Sequence, residues 1–200
     1  MSKPMGKLLR RREVVKYLLA ERGDILVIGG LGAPAWDITN AGDHDLNFPL
    51  WGAMGGAAML GLGLALAQPK RHVLVITGDG EMLMGLGSLA TIGVQKPANV
   101  SVVVIDNERY GETGMQATHT ASGVDLAAMA RAAGFASGVL VRDAAGVSAL
   151  RKVVHEAAGP NFAQVKVAAE KVPLVLPPRE GVLLKNRFRA ALLGAGAALE

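Results

Sequence analysis

Three runs of this chain are apolar almost throughout: DILVIG at 24–29, HVLVIT at 72–77 and VSVVVID at 100–106. A strand with one wet face alternates apolar and polar residues, whereas an unbroken apolar run reads as a strand buried on both faces, the condition of a parallel sheet covered by helices. The first run ends in Gly29 and Gly30, and the second is followed at once by Gly78. Glycine there lets the backbone turn out of the sheet and lets another molecule come close to it.

Helix-length stretches lie between the runs. Residues 11–22 set Val14, Val15, Leu18 and Leu19 on one stripe with charges between them. Residues 50–68 carry no charge and reach the length of a membrane span, but Gly52, Gly55, Gly56, Gly61 and Gly63 suit them to close packing inside a sheet protein. Residues 81–95 have helix length with glycines inside, 126–133 and 146–157 read as helices, and 137–142 and 161–167 as strands. Residues 33–49 read as irregular and turn-rich, 107–123 as a long polar loop, 171–178 as a Pro-punctuated extended tail, and 181–193 as a terminal helix that docks on a neighbour. The alternating order predicts an α/β fold, a doubly wound, mostly parallel sheet with helices on both faces. One domain is expected over 1–200, with its core at about 11–170 and a tail from 171.

Composition narrows the partners. Half of the 200 residues are hydrophobic, and 21 Lys plus Arg against 17 Asp plus Glu leave a net charge of +4. The basic residues gather at the ends, Lys3, Lys7 and Arg10 to Arg12 at one and Lys185, Arg187 and Arg189 at the other, as on solvated helix ends; neither a nucleic-acid nor a membrane partner is expected. With no Cys and four scattered His there is no disulfide framework and no zinc spacing. The segment from Val14 to Ala20 is broken by Lys16, so no secretory leader is read and the cytoplasm is the expected compartment.

In open parallel sheets ligands sit beyond the carboxyl ends of the strands. Gly78, Asp79 and Gly80 follow one strand and precede a helix, placing amides where an anion would sit and a carboxylate beside it. Like charges there need a cation between them, which suggests a magnesium diphosphate. Asp106 and Asn107 end the next strand and add an amide oxygen of the hard type magnesium prefers.

In GDGEMLMGLGSLATIGVQKPANVSVVVIDNERYG, from Gly78 to Gly111, the chain resembles the thiamine-diphosphate enzymes, whose Gly-Asp-Gly is followed some two dozen or more residues later by Asn-Asn; here Asp106 and Asn107 stand in that place. The resemblance implies thiamine diphosphate and Mg2+ as cofactors, with Asp79, the Asn107 side chain and the Arg109 carbonyl as metal ligands. It implies cofactor contacts at Gly30, Gly78, Gly80, Glu81, Tyr110, Gly111, Glu112 and Thr113, with Glu112, Thr113, Gln116 and His119 on a loop that folds over the diphosphate. Upstream, Gly52-Ala53-Met54-Gly55 resembles the segment that grips the aminopyrimidine ring: Met54 is the apolar wedge under a bent cofactor, and the Gly52 carbonyl accepts from the 4′-amino group. Within the family the chain is similar to phosphonopyruvate and sulfopyruvate decarboxylases, through GSLATIG at 87–93, DNERYGETGMQAT at 106–118 and the opening Arg11-Arg12-Glu13.

Two departures stand out. Where those enzymes carry Arg-Glu-Leu after the first strand, this chain has Trp36-Asp37-Ile38, which leaves that segment without a cation for an anionic substrate head. Glu81 replaces a small residue, an extra acid that a helix N-terminus tolerates. The resemblance implies a decarboxylase acting on a 2-oxo acid and releasing carbon dioxide and an aldehyde. A carboligase or other carbon–carbon lyase for a neutral 2-oxo acid is the alternative, followed by a non-catalytic magnesium-nucleotide module, disfavoured because GGLGA at 29–33 lacks dinucleotide spacing, and an interaction-only subunit. None of the nine glutamates, Glu200 included, stands where the family's pyrimidine-activating glutamate would. A second chain is therefore expected to bring the pyrimidine-binding domain with that glutamate, in a heterotetramer.

Overall fold

The computed structural model describes residues 8–198; Lys3, Lys7 and Glu200 lie outside the described residues. In chain order the strands are β1 Leu26–Gly29, β2 Asn47–Pro49, β3 Val73–Gly78, β4 Val100–Asp106, β5 Arg109–Tyr110, β6 Gln116–Ala117, β7 Ser137–Val141 and β8 Asn161–Lys166. The α-helices are α1 Arg11–Leu19, α2 Ala33–Ala41, α3 Ala57–Ala67, α4 Asp79–Met84, α5 Ser88–Gln95, α6 Leu126–Ala132, α7 Ala144–Glu156 and α8 Gly181–Leu193. Six strands form one parallel sheet in the order β2-β1-β3-β4-β8-β7, and β5 and β6 make a small antiparallel hairpin.

The unbroken apolar runs are buried on both faces, as their composition requires. On one face Leu26, Ile28, Val75, Val102 and Phe162 pack with α3, α5 and α6; on the other Val27, Leu74, Ile76, Val103 and Val165 pack with α1, α2 and α7. Gly61 brings α3 close to the sheet, since a Cβ there would strike Val75. This is the doubly wound α/β architecture the alternating pattern implies. No described helix is long and apolar enough to cross a membrane.

Several segments differ from expectation. Residues 33–49 are not irregular: they hold α2, with Pro34 near its start, where the ring's fixed φ and missing amide cost nothing, and the edge strand β2. The helix expected from residue 50 begins at Ala57, because Ala53 (φ 55°) and Gly55 (φ 94°) turn the chain first. Residues 81–95 divide into α4, which already starts at Asp79, and α5. Residues 107–123 contain the β5–β6 hairpin and a 3-10 turn at His119–Ser122. Helix α8 lies on its own chain: Phe188 meets Phe48 of β2 edge-to-face at 5.5 Å, and Arg187 makes a two-pronged ion pair with Asp43.

Candidate active site

Strand order reverses at β1, which has β2 on one side and β3 on the other. The crevice beyond the carboxyl ends of strands at such a point is where ligands bind in open parallel sheets. A cavity of about 400 Å³ opens there, lined by the segments that follow β1, β3 and β4 together with Met54 and Met84. With Arg11 of α1, the chain thus brings residues from five separate sequence segments to one place.

Asp79, the first residue of α4, is 2 % exposed. Its Oδ2 accepts from Thr118 Oγ1 at 2.5 Å and from Thr120 Oγ1 at 3.3 Å. Burial pushes its carboxyl up to about 6, the Thr118 bond opposes this, and the charge of Asp106 adds to it. A cation beside Asp79 would restore the ionised form. Asp106, fully buried at the end of β4, accepts from Thr120, Gln164 and Lys166. Burial pushes the Lys166 ammonium down, but its bonds to Asp106 and Glu108 outweigh that and hold it above its usual value. This network fixes the strand end from which Asn107 emerges. Asn107 Oδ1 accepts from the Arg109 amide at 3.0 Å, and Glu108 takes φ 62° to make the turn.

Asp79, Asn107 and Arg109 all line the cavity, as do Gly78, Gly80, Glu81, Met54 and the run Tyr110 to Thr113. Gly30 and Gly52 do not line it, nor do Gln116 and His119, the last an exposed residue. Gly80 is backed by Tyr110: a Cβ there would come 2.5 Å from the ring. Gly30 lies under Glu81, whose carboxylate would collide with any side chain at residue 30. Glu81 is tolerated less through its helix position than through its bonds. Its Oε2 accepts from Thr77 Oγ1 at 2.8 Å and from the Leu31 amide at 2.9 Å, while Oε1 is buried without a partner. Burial raises its carboxyl above the usual range, against those bonds.

The turn bearing Met54 rests on the far end of α4, where Gly55 packs against Gly85 and Met84. A methyl group at residue 85 would overlap the Gly55 carbonyl. Gly85→Ala is therefore expected to destabilise the fold by about 1–3 kcal/mol, read as a lower melting temperature; an unchanged melt would show that this turn yields freely.

The family model for the thiamine pyrophosphate enzyme C-terminal TPP-binding domain matches residues 32–168, more than half of the chain. The chain belongs to this family. The sulfopyruvate decarboxylase subunit beta of Methanothermobacter thermautotrophicus is 38% identical to this TPP-binding domain over 188 residues, covering 94% of the chain and 98% of that protein. The phosphonopyruvate decarboxylase of Streptomyces viridochromogenes is 44% identical over 126 residues, 62% of the chain and 31% of that protein. Among solved structures, the benzoylformate decarboxylase of Polynucleobacter necessarius superposes with a TM-score of 0.69 at 21% identity, over 87% of the chain and 36% of that chain. The chain thus spans about a third of the last two proteins and nearly all of the first.

One residue of the cavity wall belongs to the opening Arg11-Arg12-Glu13 but is given no place in the site by it. Arg11 of α1 lines the cavity and is 5 % exposed, with Nη1 donating to Asp37 Oδ2 at 2.8 Å; Arg12 Nε donates to Asp37 Oδ1 at 3.2 Å. The site therefore does have a cation despite Trp36, brought from another helix. The available signal was position: Arg11 shares the apolar stripe of Val14, Val15 and Leu18 and must be buried with a partner.

Proposed function

We propose that the chain is the diphosphate- and magnesium-binding subunit of a two-chain thiamine-diphosphate-dependent 2-oxo acid decarboxylase of the sulfopyruvate or phosphonopyruvate type. The carrying observation is the near end-to-end likeness to a sulfopyruvate decarboxylase subunit beta. The cavity supports it, because the donors it gathers suit the cofactor. Among the described residues no three His, Asp or Glu side chains form a cluster that could hold a metal. A carboxylate, an amide oxygen and a backbone carbonyl, from Asp79, Asn107 and Arg109, are a hard, mixed set of the kind Mg2+ accepts while keeping oxygens of a phosphate ligand. Gly80, with no side chain, lets the Tyr110 ring close against the backbone beside Asp79 and so form one wall of the site.

When bound, thiamine diphosphate supplies the carbon that adds to the 2-oxo acid carbonyl and the electron sink that accepts the pair left by departing carbon dioxide. The chain's own residues hold and orient. Asp79, Asn107 and Arg109 hold the metal against the diphosphate. Met54 forms the wedge that keeps the cofactor bent, and the apolar wall around it excludes water. Met54 and Met84 stay 37 % and 62 % exposed, and Met59 and Leu60 on α3 are also bare, an apolar surface of the kind a partner subunit covers.

The test is turnover. In the two-subunit enzyme, Met54→Ala is expected to lower kcat by about 10- to 100-fold through misplacement of the reacting atoms, with a much smaller change in cofactor affinity. Met54→Leu keeps the volume and should be milder. Full turnover in Met54→Ala would remove the wedge from the account.

A further inference from the structure

We propose that Arg11 is the anion anchor of the cavity, donating to the diphosphate of the cofactor, and that Asp37 positions it; this rests on the reading of the cavity as a thiamine-diphosphate site. Carrying a guanidinium into the interior at 5 % exposure is costly unless it is paired. The pairing here is incomplete by design of charge: Arg11 and Arg12 share the single buried carboxylate of Asp37, which leaves the cluster with a net positive charge. Arg12 also donates to the Pro173 carbonyl, at the outer side of α1. Arg11 faces the cavity, and its one recorded side-chain bond among the described residues goes to Asp37. A guanidinium carries five N–H donors in a planar fork that matches phosphate oxygens.

Packing places Arg11 at the Asp79 end of the cavity. Gly78, which precedes Asp79, faces Pro34 of α2 at 3.9 Å from the position a Cβ would take, and Asp37 lies one helical turn beyond Pro34. Met54 is at the other end of α4. In the first turn of α2, a nine-residue helix, Pro34 has no amide and the Trp36 amide bonds the Gly32 carbonyl, which leaves the amides of Ala33 and Ala35 to favour an anion at the same place. A carboxylate already stands there. Glu112 lines the cavity with its carboxylate against Gly32, the residue capping α2. Burial pushes the Glu112 carboxyl up, and the charge of Arg11 pulls it back. Glu112 thus marks an oxyanion position on which Arg11 and the α2 N-terminus converge, and a diphosphate carrying more charge would displace it.

The experiment compares the two-subunit assembly of wild type, Arg11→Lys, Arg11→Met and the double variant Arg11→Met with Asp37→Asn, which avoids leaving a buried acid short of a partner. Each is titrated calorimetrically with thiamine diphosphate and Mg2+, and separately with inorganic diphosphate and Mg2+, a probe without rings. Arg11→Met and the folded double variant should bind both ligands at least about tenfold more weakly, with partial recovery in Arg11→Lys. A merely structural role would move the melting temperature but not the inorganic diphosphate affinity. Unchanged affinity for both ligands in the folded double variant would overturn the proposal, even if the KM for an acidic 2-oxo acid rose. Wild type failing to bind thiamine diphosphate at all would overturn the reading of the cavity itself, so the two failures are distinguishable.

Discussion

Asp79→Ala is expected to lower the affinity of the assembled enzyme for magnesium thiamine diphosphate by about two orders of magnitude or more, since even outer-shell partners of a bound metal are worth 10–100-fold. The carboxylate is the one acid among the three proposed protein ligands, so its loss leaves the diphosphate charge poorly neutralised. The fold should survive. Burial already disfavours the ionised form of Asp79, so the substitution removes a group the folded chain accommodates at a cost. Thr118 and Thr120, which lose an acceptor, lie 2.9 Å apart and can bond each other. Asp79→Asn keeps an oxygen donor and should be less severe. A calorimetric titration of the folded Asp79→Ala enzyme showing wild-type affinity would sink the metal assignment.

How far the sequence alone reaches follows from the kind of signal each element carries. Strands β1, β3 and β4 are legible because burial on both faces makes them continuous apolar or small-residue runs bounded by glycine or turn residues. Helix α2 is not: APAWDITNA has no clear apolar stripe, and its position is set by the buried Asp37 that ties it to α1. The break between α4 and α5 is also tertiary in origin, since Gly85 must admit the backbone of Gly55. Asp79 and Asn107 are legible from motif spacing, and the structure brings them to one cavity. The network of Thr118, Thr120, Gln164 and Lys166 that secures the ends of β3 and β4 is invisible in sequence, because isolated polar residues in a loop or an edge-side strand read as solvated until their partners are known. Arg11 stands in the opening Arg11-Arg12-Glu13, but its burial against Asp37 is hidden for the same reason.

The second large effect expected is the inactivity of this chain by itself. Of its described glutamates, Glu81 and Glu112 line the cavity. Glu81 is two residues from Asp79 and bonded to Thr77 and the Leu31 amide; Glu112 rests on Gly32 beside Arg11. Glu81 also has the Gly55 and Ala57 amides against its carboxylate, so both acids face groups of this chain, and the glutamate that would activate the proposed pyrimidine ring is assigned to another chain. A companion chain is proposed to bring it, covering the exposed apolar side chains of Met54, Met59, Leu60 and Met84 as it docks. Because a cofactor held across the interface stabilises the assembled state by mass action, the two chains should associate more tightly with thiamine diphosphate and Mg2+ present. Two of each chain, closed by symmetry, is the assembly expected. The most direct measurement is carbon dioxide release from sulfopyruvate, phosphonopyruvate and pyruvate with cofactor and Mg2+, by this chain alone and then mixed with the proposed companion subunit. The account predicts no release above background from the single chain and robust release from the mixture; robust decarboxylation by the single chain would contradict the split site.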